Sequence, residues 1–278
     1  TSGLTYSFNP GLLAEAYADK ALEFEPDQGT LGAMCTQVAE LPLAFAPGQK
    51  WEYSISIDVL GRVAEVVTGK SLEQVFQENI LDPLNMAATG FRVPQRAGDG
   101  FASLYTPLAG RAMGLNDSAR GTDPLRLVDD HRNSPFLRST LFSGGGGLVG
   151  TIDDYMRFAE MLRSGGAAPN GRLLGPQTLS FMMRNHLAGD IASMGPSSFA
   201  EQPMDGMGFG LGGAVVLDPA RARTPGSIGD FSWGGMASTF FWVDPMLDLS
   251  VVFFTQLSPS SSYPSRAQLK ALVQACLA

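Results

Sequence analysis

Apolar residues recur at intervals of three and four after Tyr53, with Val59, Leu60, Val63, Val66 and Val67 falling on one side of a 3.6-residue repeat. That spacing predicts an amphipathic helix. Asp58 lies in its positive first turn and Gly69 is placed to end it. Ser71-Leu72-Glu73-Gln74 has capping-box form for a following helix. Upstream, Asn9-Pro10 reads as an N-cap with proline at the first helical position, ahead of GLLAEAYADKALEF. Thr30 can cap a second helix to about Glu40, stopped by Leu41-Pro42. Later, IDDYMRFAEMLR predicts a helix ending at Ser164-Gly165-Gly166, and Pro176 starts another that runs through Asn185.

Beyond Met204 the pattern changes to strands: GFGLGGAVVLD, SIGDFSWGG, ASTFFWVD and LDLSVVFFT, with Asp244-Pro245-Met246-Leu247-Asp248 as a hairpin connection between the last two. Pro264 then opens a closing helix. Residues 93–139 carry many Gly, Pro, Asp and Arg and little periodicity, which reads as an extended loop region of the kind that frames a binding site. A run of helices followed by strands and one terminal helix predicts an α/β (α+β) fold, an antiparallel sheet flanked by helices beside a mainly helical lobe. The expected division is 1–203 for the helical lobe and active-site loops, and 204–278 for the sheet strands and C-terminal helix.

Composition narrows the class. The 278 residues are 44% apolar and 17% charged, enough to bury a substantial core. A net charge of −8, with no cluster of Lys and Arg, disfavours nucleic acid and anionic membranes as partners. Leu249–Leu257 is the most apolar stretch; it is far too short to span a bilayer and reads as a core strand. Cys35 and Cys276 form no CxxC or Cys/His spacing, so neither a disulfide framework nor a zinc site is indicated; both read as buried apolar residues, with one long-range bridge as the alternative. The chain starts at Thr1 without an apolar signal region, and reads as trimmed, processed or cut from a longer protein. Its compartment, cytoplasmic or exported, stays open.

Candidate chemistry is sparse when each motif is taken alone. Gly145–Gly150 and Gly208–Gly213 both satisfy GxGxxG, but neither has the strand-before, helix-after setting of a dinucleotide site, so they read as turns and close packing, with no cofactor implied. His131 and His186 stand without HExxH or GxSxG. His186 lies where a histidine meets helix-terminal carbonyls, and Asp153-Asp154 occupies a first helical turn that favours acids. Tyr53 with Ser54 precedes the clearest helix; alone it is a packing aromatic. Trp233-Gly234-Gly235 alone is an aromatic followed by residues that let another group approach a strand, and exposed N–H groups there could bind an oxyanion.

In order along the chain, TSGL at Thr1–Leu4, the stretch from Trp51 to Phe91 containing Tyr53-Ser54-Ile55, FSGGGGLVGTIDDYMRFAEMLRSGG from Phe142, and SWGGMASTFFWVDP from Ser232 resemble the penicillin-recognising serine hydrolases. The specific resemblance is to family VIII carboxylesterases with a class C β-lactamase fold, and it covers essentially the whole chain. It implies a β-lactamase/transpeptidase-like fold in which the Tyr53 phenol shuttles protons near a lysine, since a phenol titrating near pH 10 needs cationic neighbours to act as a base. It also implies that the Met236 backbone N–H is an oxyanion donor and that Ser54, Ile55, Trp233, Gly234 and Gly235 line the substrate site.

Three departures from the family pattern carry information. Ile55 stands where β-lactamases have an asparagine, and Trp233 where they have a lysine; both changes favour a neutral ester over a charged antibiotic. The third is the nucleophile: the lysines are Lys20, Lys50, Lys70 and Lys270, and none has a serine three residues before it. Since TSGL follows the nucleophile helix in the family, the resemblance implies that the Ser and Lys of SxxK, with the N-terminal strands, lie in a segment preceding Thr1. The expected function is a serine carboxylesterase acting on short-chain or aryl esters through an acyl-enzyme, needing no metal or cofactor, with a small-molecule ester and that segment as partners. A β-lactamase, D,D-peptidase or acyltransferase on the same scaffold, and a non-catalytic binding homologue, stay open as alternatives.

Overall fold

A computed structural model describes residues 1–20, 22, 25–107, 125–199 and 202–277. They form two compact units, one of residues 1–98 and 134–151 and the other of residues 99–133 and 152–278. The sheet unit thus holds residues 99–133 and everything from Ile152 onward, including helices that the 203/204 division assigns to the helical lobe.

The first unit is built from short helices. α1 (Leu12–Asp19) is capped by Gly11 and not by Asn9, and ends before the predicted Phe24; residues 21, 23 and 24 lie outside the described residues. α2 (Leu31–Val38) starts as expected, with the Thr30 hydroxyl accepting from Ala33 N. α3 (Ser56–Thr68) ends on Gly69 at φ 69°, a left-handed conformation that costs glycine nothing. The capping box of Ser71 and Gln74 opens α4 (Leu72–Phe76), which continues as a π-helical turn to Leu81. Tyr17, Leu22, Leu31, Met34, Ile55, Leu72, Phe91 and Leu141 make the core of this unit.

One expectation about α3 reverses. Leu60, Val63, Val66 and Val67 are exposed by 50–79%, whereas Asp58 and Gly61 are its buried residues. The 3.6-residue period locates the helix and its apolar face, but it carries no information on whether the chain supplies a cover for that face.

The second unit is organised by a sheet. The region read as an extended loop contains a two-stranded antiparallel pair, β1 (Leu104–Pro107) and β2 (Leu125–Asp129); residues 108–124 lie outside the described residues. α5 (Ile152–Arg163) ends at Gly165 and Gly166, both at positive φ. It is followed by a small hairpin, β3 (Ala167–Ala168) and β4 (Gly171–Arg172). α6 (Pro176–Met182) stops three residues short of Asn185, and α7 (Ile191–Met194) precedes a second small pair, β5 (Ser198–Phe199) and β6 (Gln202–Pro203).

The main sheet is antiparallel throughout, in the order β11-β10-β9-β8-β7. GFGLGGAVVLD, read as one strand, is a hairpin of β7 (Met207–Phe209) and β8 (Ala214–Val216), because Gly210–Gly213 makes the turn. β9 (Phe231–Gly234), β10 (Phe240–Asp244) and β11 (Leu249–Phe253) follow the predicted runs. Every residue of β10 is buried, as a central strand covered on both faces requires. On one face Phe241 meets Tyr155 and Phe158 of α5, with ring centroids 5.3 and 6.5 Å apart. On the other, Lys270 and Arg266 of α8 (Ser265–Ala275) lie over Trp242 and Phe240 at 5.7 and 5.9 Å. β11, expected in the core, is an outer strand that is half-buried along its length. Both cysteines are free, and Cys276 is exposed instead of buried. Among the described residues no helix is long and apolar enough to cross a membrane.

Candidate active site

Tyr53 sits on the segment that leads into α3, and three contacts fix it there. The Asn9 amide donates to the Tyr53 carbonyl at 2.8 Å and also reaches Thr5 Oγ1 at 3.0 Å and Glu52 Oε1 at 3.3 Å. This explains why Asn9 does not cap α1: its side chain is committed to the Tyr53 backbone. The Tyr53 ring lies 5.0 Å from the Tyr6 ring and 6.1 Å from Phe8, and Tyr6 stacks on Phe8 at 4.8 Å. The Tyr6 and Tyr53 hydroxyls are hydrogen-bonded. Burial, then the neighbouring Tyr53 and the Asp58 charge, push the Tyr6 phenol far above its usual range.

Ser54 and Ile55 follow Tyr53 but face elsewhere. Ser54 is buried and its hydroxyl lies 2.6 Å from that of Ser56, which in turn contacts the Ser2 hydroxyl at 2.5 Å. The Ile55 side chain is in the apolar core at 1% exposure. Its side chain is therefore committed to packing, unlike the substrate-lining position expected of it.

Beneath this segment lies a buried carboxylate. Asp58 Oδ1 accepts from Ser143 Oγ at 2.5 Å and from Gly145 N at 3.3 Å. Burial raises the Asp58 pKa, and the hydrogen bonds from Ser143 and the loop backbone oppose that shift. The first GxGxxG glycines are explained here by close packing. A Cβ on Gly145 would lie 2.7 Å from Asp58 Oδ2, one on Gly147 2.8 Å from Phe91, and one on Gly150 2.6 Å from Thr89 Oγ1.

The second group of candidates lies on β9 and the turn after it. Trp233 stacks with Phe199 at 5.8 Å and meets Phe209 edge-on at 5.4 Å. Gly234 and Gly235 are required by neighbours that the sequence does not announce. A Cβ on Gly234 would fall 2.5 Å from Arg266 Nη2, and one on Gly235 2.5 Å from Thr239 Oγ1. Arg266 also donates to Gly235 O at 3.3 Å, and Gly235 N donates to Thr239 O at 2.7 Å. The Met236 side chain is 64% exposed, and among the described residues its backbone N–H has no hydrogen-bond acceptor. An unpaired N–H at the end of a rigid strand is the chemical form of an oxyanion donor.

Other constellations carry less. Ser103 Oγ is 2.9 Å from His131 Nδ1, and Asp130 Oδ1 is 3.5 Å from the same nitrogen. A relay needs serine and carboxylate on opposite ring nitrogens, so this trio is not a catalytic triad. His186 Nε2 contacts Phe181 O at 2.9 Å, the helix-terminal role expected of it. A cavity of about 270 Å³ in the first unit, lined by Glu73, Thr89, Phe91 and Arg92 among others, touches none of the predicted site residues. Its arginine is already engaged by Glu73 and by Ser139 O.

Comparison with known proteins identifies the family. The family profile described as Beta-lactamase matches residues 1–275. Protein Rv1367c of Mycobacterium tuberculosis is 33% identical over 273 residues, 96% of this chain and 63% of that protein. Esterase EstB of Burkholderia gladioli is 35% identical over 228 residues, 79% of this chain and 53% of the esterase. The chain thus spans less than two thirds of the length of either relative. Among solved structures, "EstCE1, a hydrolase with promiscuous acyltransferase activity" superposes with a TM-score of 0.73 at 29% identity, covering 97% of this chain and 68% of that one. The profile match over residues 1–275, the relatives and the superposition lead to one assignment: the chain belongs to the beta-lactamase family and has the penicillin-recognising serine hydrolase fold.

Proposed function

We propose that this chain is the larger, C-terminal part of a serine carboxylesterase that hydrolyses short-chain or aryl esters through an acyl-enzyme, with the Ser and Lys of SxxK supplied by a segment preceding Thr1. The observation that carries the proposal is the unpaired Met236 N–H at the end of the Trp233-Gly234-Gly235 strand, in a chain that also holds Tyr53 at the start of α3. Similarity to Esterase EstB supports the ester specificity. In this reading the serine oxygen attacks the ester carbonyl and its proton passes to the Tyr53–lysine pair. The Met236 N–H holds the oxyanion, and the departing alcohol takes the proton back. Water then repeats the sequence on the acyl-enzyme. Trp233, among Phe199 and Phe209, offers an apolar wall at the position where the β-lactamase pattern has a lysine.

The test is hydrolysis of p-nitrophenyl acetate and butyrate by the protein expressed with its native upstream sequence. Tyr53→Phe should lower kcat by about 10²–10⁴-fold, the usual range for losing a general acid–base; full activity in that variant overturns the assignment. An acyltransferase is the second reading, supported by the similarity to EstCE1. Partitioning of the acyl group between water and an added alcohol separates the two. Nitrocefin and a D-Ala-D-Ala peptide should be turned over far more slowly than simple esters. Absence of labelling by a fluorophosphonate would place the protein among non-catalytic homologues.

A further inference from the structure

We propose that Tyr6 is a positioning residue for Tyr53, donating its phenolic hydrogen to the Tyr53 oxygen and keeping that hydrogen because it also faces the buried Asp58 carboxylate. The inference rests on the reading of Tyr53 as the proton shuttle, and goes beyond it by naming what tunes the shuttle within this chain. Four observations meet at Tyr6. Its ring packs against Phe8, stacked at 4.8 Å, and against Tyr53 at 5.0 Å, and those two rings are themselves 6.1 Å apart, so the three form one aromatic cluster. The two phenols are hydrogen-bonded to each other. Tyr6 Oη and Asp58 Oδ2 border the same small space, since a Cβ on Gly145 would lie 3.3 Å from the first and 2.7 Å from the second. Asp58 itself is tied to Ser143 and Gly145, and it acts on Tyr6 through its charge and not through a hydrogen bond.

The asymmetry of this pair is the point. Two hydrogen-bonded phenols cannot both act as donor across one contact, and the one that loses its proton becomes the acceptor. Tyr6 is disfavoured as the anion by burial and by the Asp58 charge, which leaves Tyr53 to give up its proton. A hydrogen bond donated to a phenolate stabilises it, so Tyr6 makes Tyr53 more acidic than it would be beside an apolar ring. No proton leaves Tyr6 at any stage. The remaining acid near this segment is Glu52, whose carboxylate accepts from the Asn9 amide that also holds the Tyr53 carbonyl.

The experiment is tyrosine Cζ titration by NMR on ¹³Cζ-tyrosine-labelled protein carrying its upstream segment, with the Tyr53 signal assigned by its loss in Tyr53→Phe. Tyr6→Phe, which keeps the ring and removes the donor, should raise the Tyr53 pKa by about one unit, a tenfold change of the size one hydrogen bond to a charged group supplies. The ascending, acidic limb of the kcat/KM profile should move to higher pH by the same amount with KM little changed. An unmoved Tyr53 titration in a Tyr6→Phe protein that melts like the parent overturns the proposal. If that variant does not fold, the unsubstituted protein decides: Tyr53 must titrate before Tyr6, and the reverse order overturns the proposal. Failure of the esterase reading is distinguishable, because it appears as Tyr53→Phe retaining activity while the Tyr53 titration still responds to Tyr6.

Discussion

Helices α3 and α5 are equally amphipathic in sequence, but only α5 has its apolar face covered. α5 buries Ala159, Met161 and Leu162, and its Tyr155 packs against Phe241 and Phe254 at 5.3 and 5.5 Å. α3 instead turns Asp58 and Gly61 inward, where a Cβ on Gly61 would already touch Leu72 and Leu31, and leaves Ile57, Leu60, Val63 and Val67 exposed. A helix whose polar side is buried and whose apolar side is open has the form of an element that lacks a neighbour. Under the proposed function, that neighbour is the segment carrying SxxK. The largest expected effect tests the contrast directly. Phe241→Ala should cost about 3–5 kcal/mol in denaturant unfolding, as for a large aromatic removed from a packed core. Leu60→Ala should cost within about 0.5 kcal/mol in this chain, as for an exposed position. If α3 is covered in the longer protein, Leu60→Ala should there cost about 2 kcal/mol or more; equal small costs in both would remove the idea of a cover.

The contrast also shows what local sequence can carry. Thr30, the Ser71–Gln74 capping box, Gly69 and the Asp244 turn are legible because each is closed within a few residues. In the turn, Asp244 Oδ1 accepts from Met246 and Leu247 N. β10 is legible because four consecutive apolar and aromatic positions, Phe240 to Val243, followed by the turn-forming Asp244, suit a strand buried on both faces. The partners that shape the candidate site are not, because they come from far along the chain. Ser143 is 85 residues from Asp58, and Asn9 is 44 from Tyr53. Arg266, which demands a glycine at 234, arrives from the last helix. Tyr6 is one aromatic residue in TSGLTYSFN and gains meaning only when Tyr53 is set beside it. The resemblance along the chain therefore points to Tyr53 and Trp233-Gly234-Gly235, which local pattern alone reads as packing positions, but not to the residues that hold them.

Each region also buries a carboxylate, and the two differ in what offsets the charge. Asp58 is met by a hydroxyl and backbone N–H groups, and Asp230, next to β9, by the Lys270 ammonium at 2.6 Å. Burial pushes the Asp230 pKa up to about 6, with Lys270 pulling it down and Asp244 adding to the rise. A carboxylate whose folded pKa is raised favours folding while protonated, and that contribution disappears as pH rises from about 4 through about 6. Stability measured across this window should therefore fall with pH in the parent, and Asp230→Asn should flatten the slope while lowering stability near neutrality by leaving Lys270 buried without its partner. A slope unchanged by the substitution would show that Lys270 fully offsets the burial of Asp230, and would leave the fall to other groups such as Asp58, whose pKa burial also raises.

The smallest effects separate close packing from conformational need in the glycine run beside α3. None of Gly144–Gly147 has a positive φ, so glycine is required there only where a side chain has no room. A Cβ on Gly144 would meet the Ile57 carbonyl at 2.5 Å, a backbone atom at the start of α3 that cannot swing away, whereas a Cβ on Gly146 meets nothing within 4 Å. Gly144→Ala should cost about 1–3 kcal/mol, the usual range for overpacking. Gly146→Ala should be neutral or stabilising by about 0.4–1 kcal/mol, because it restricts the unfolded chain without straining the folded one. Thermal unfolding of the two variants side by side is sufficient. A penalty at Gly146 equal to that at Gly144 would mean that the free space beside Gly146 is filled in solution, and the same outcome seen only in the longer protein would locate the filling group in the segment before Thr1.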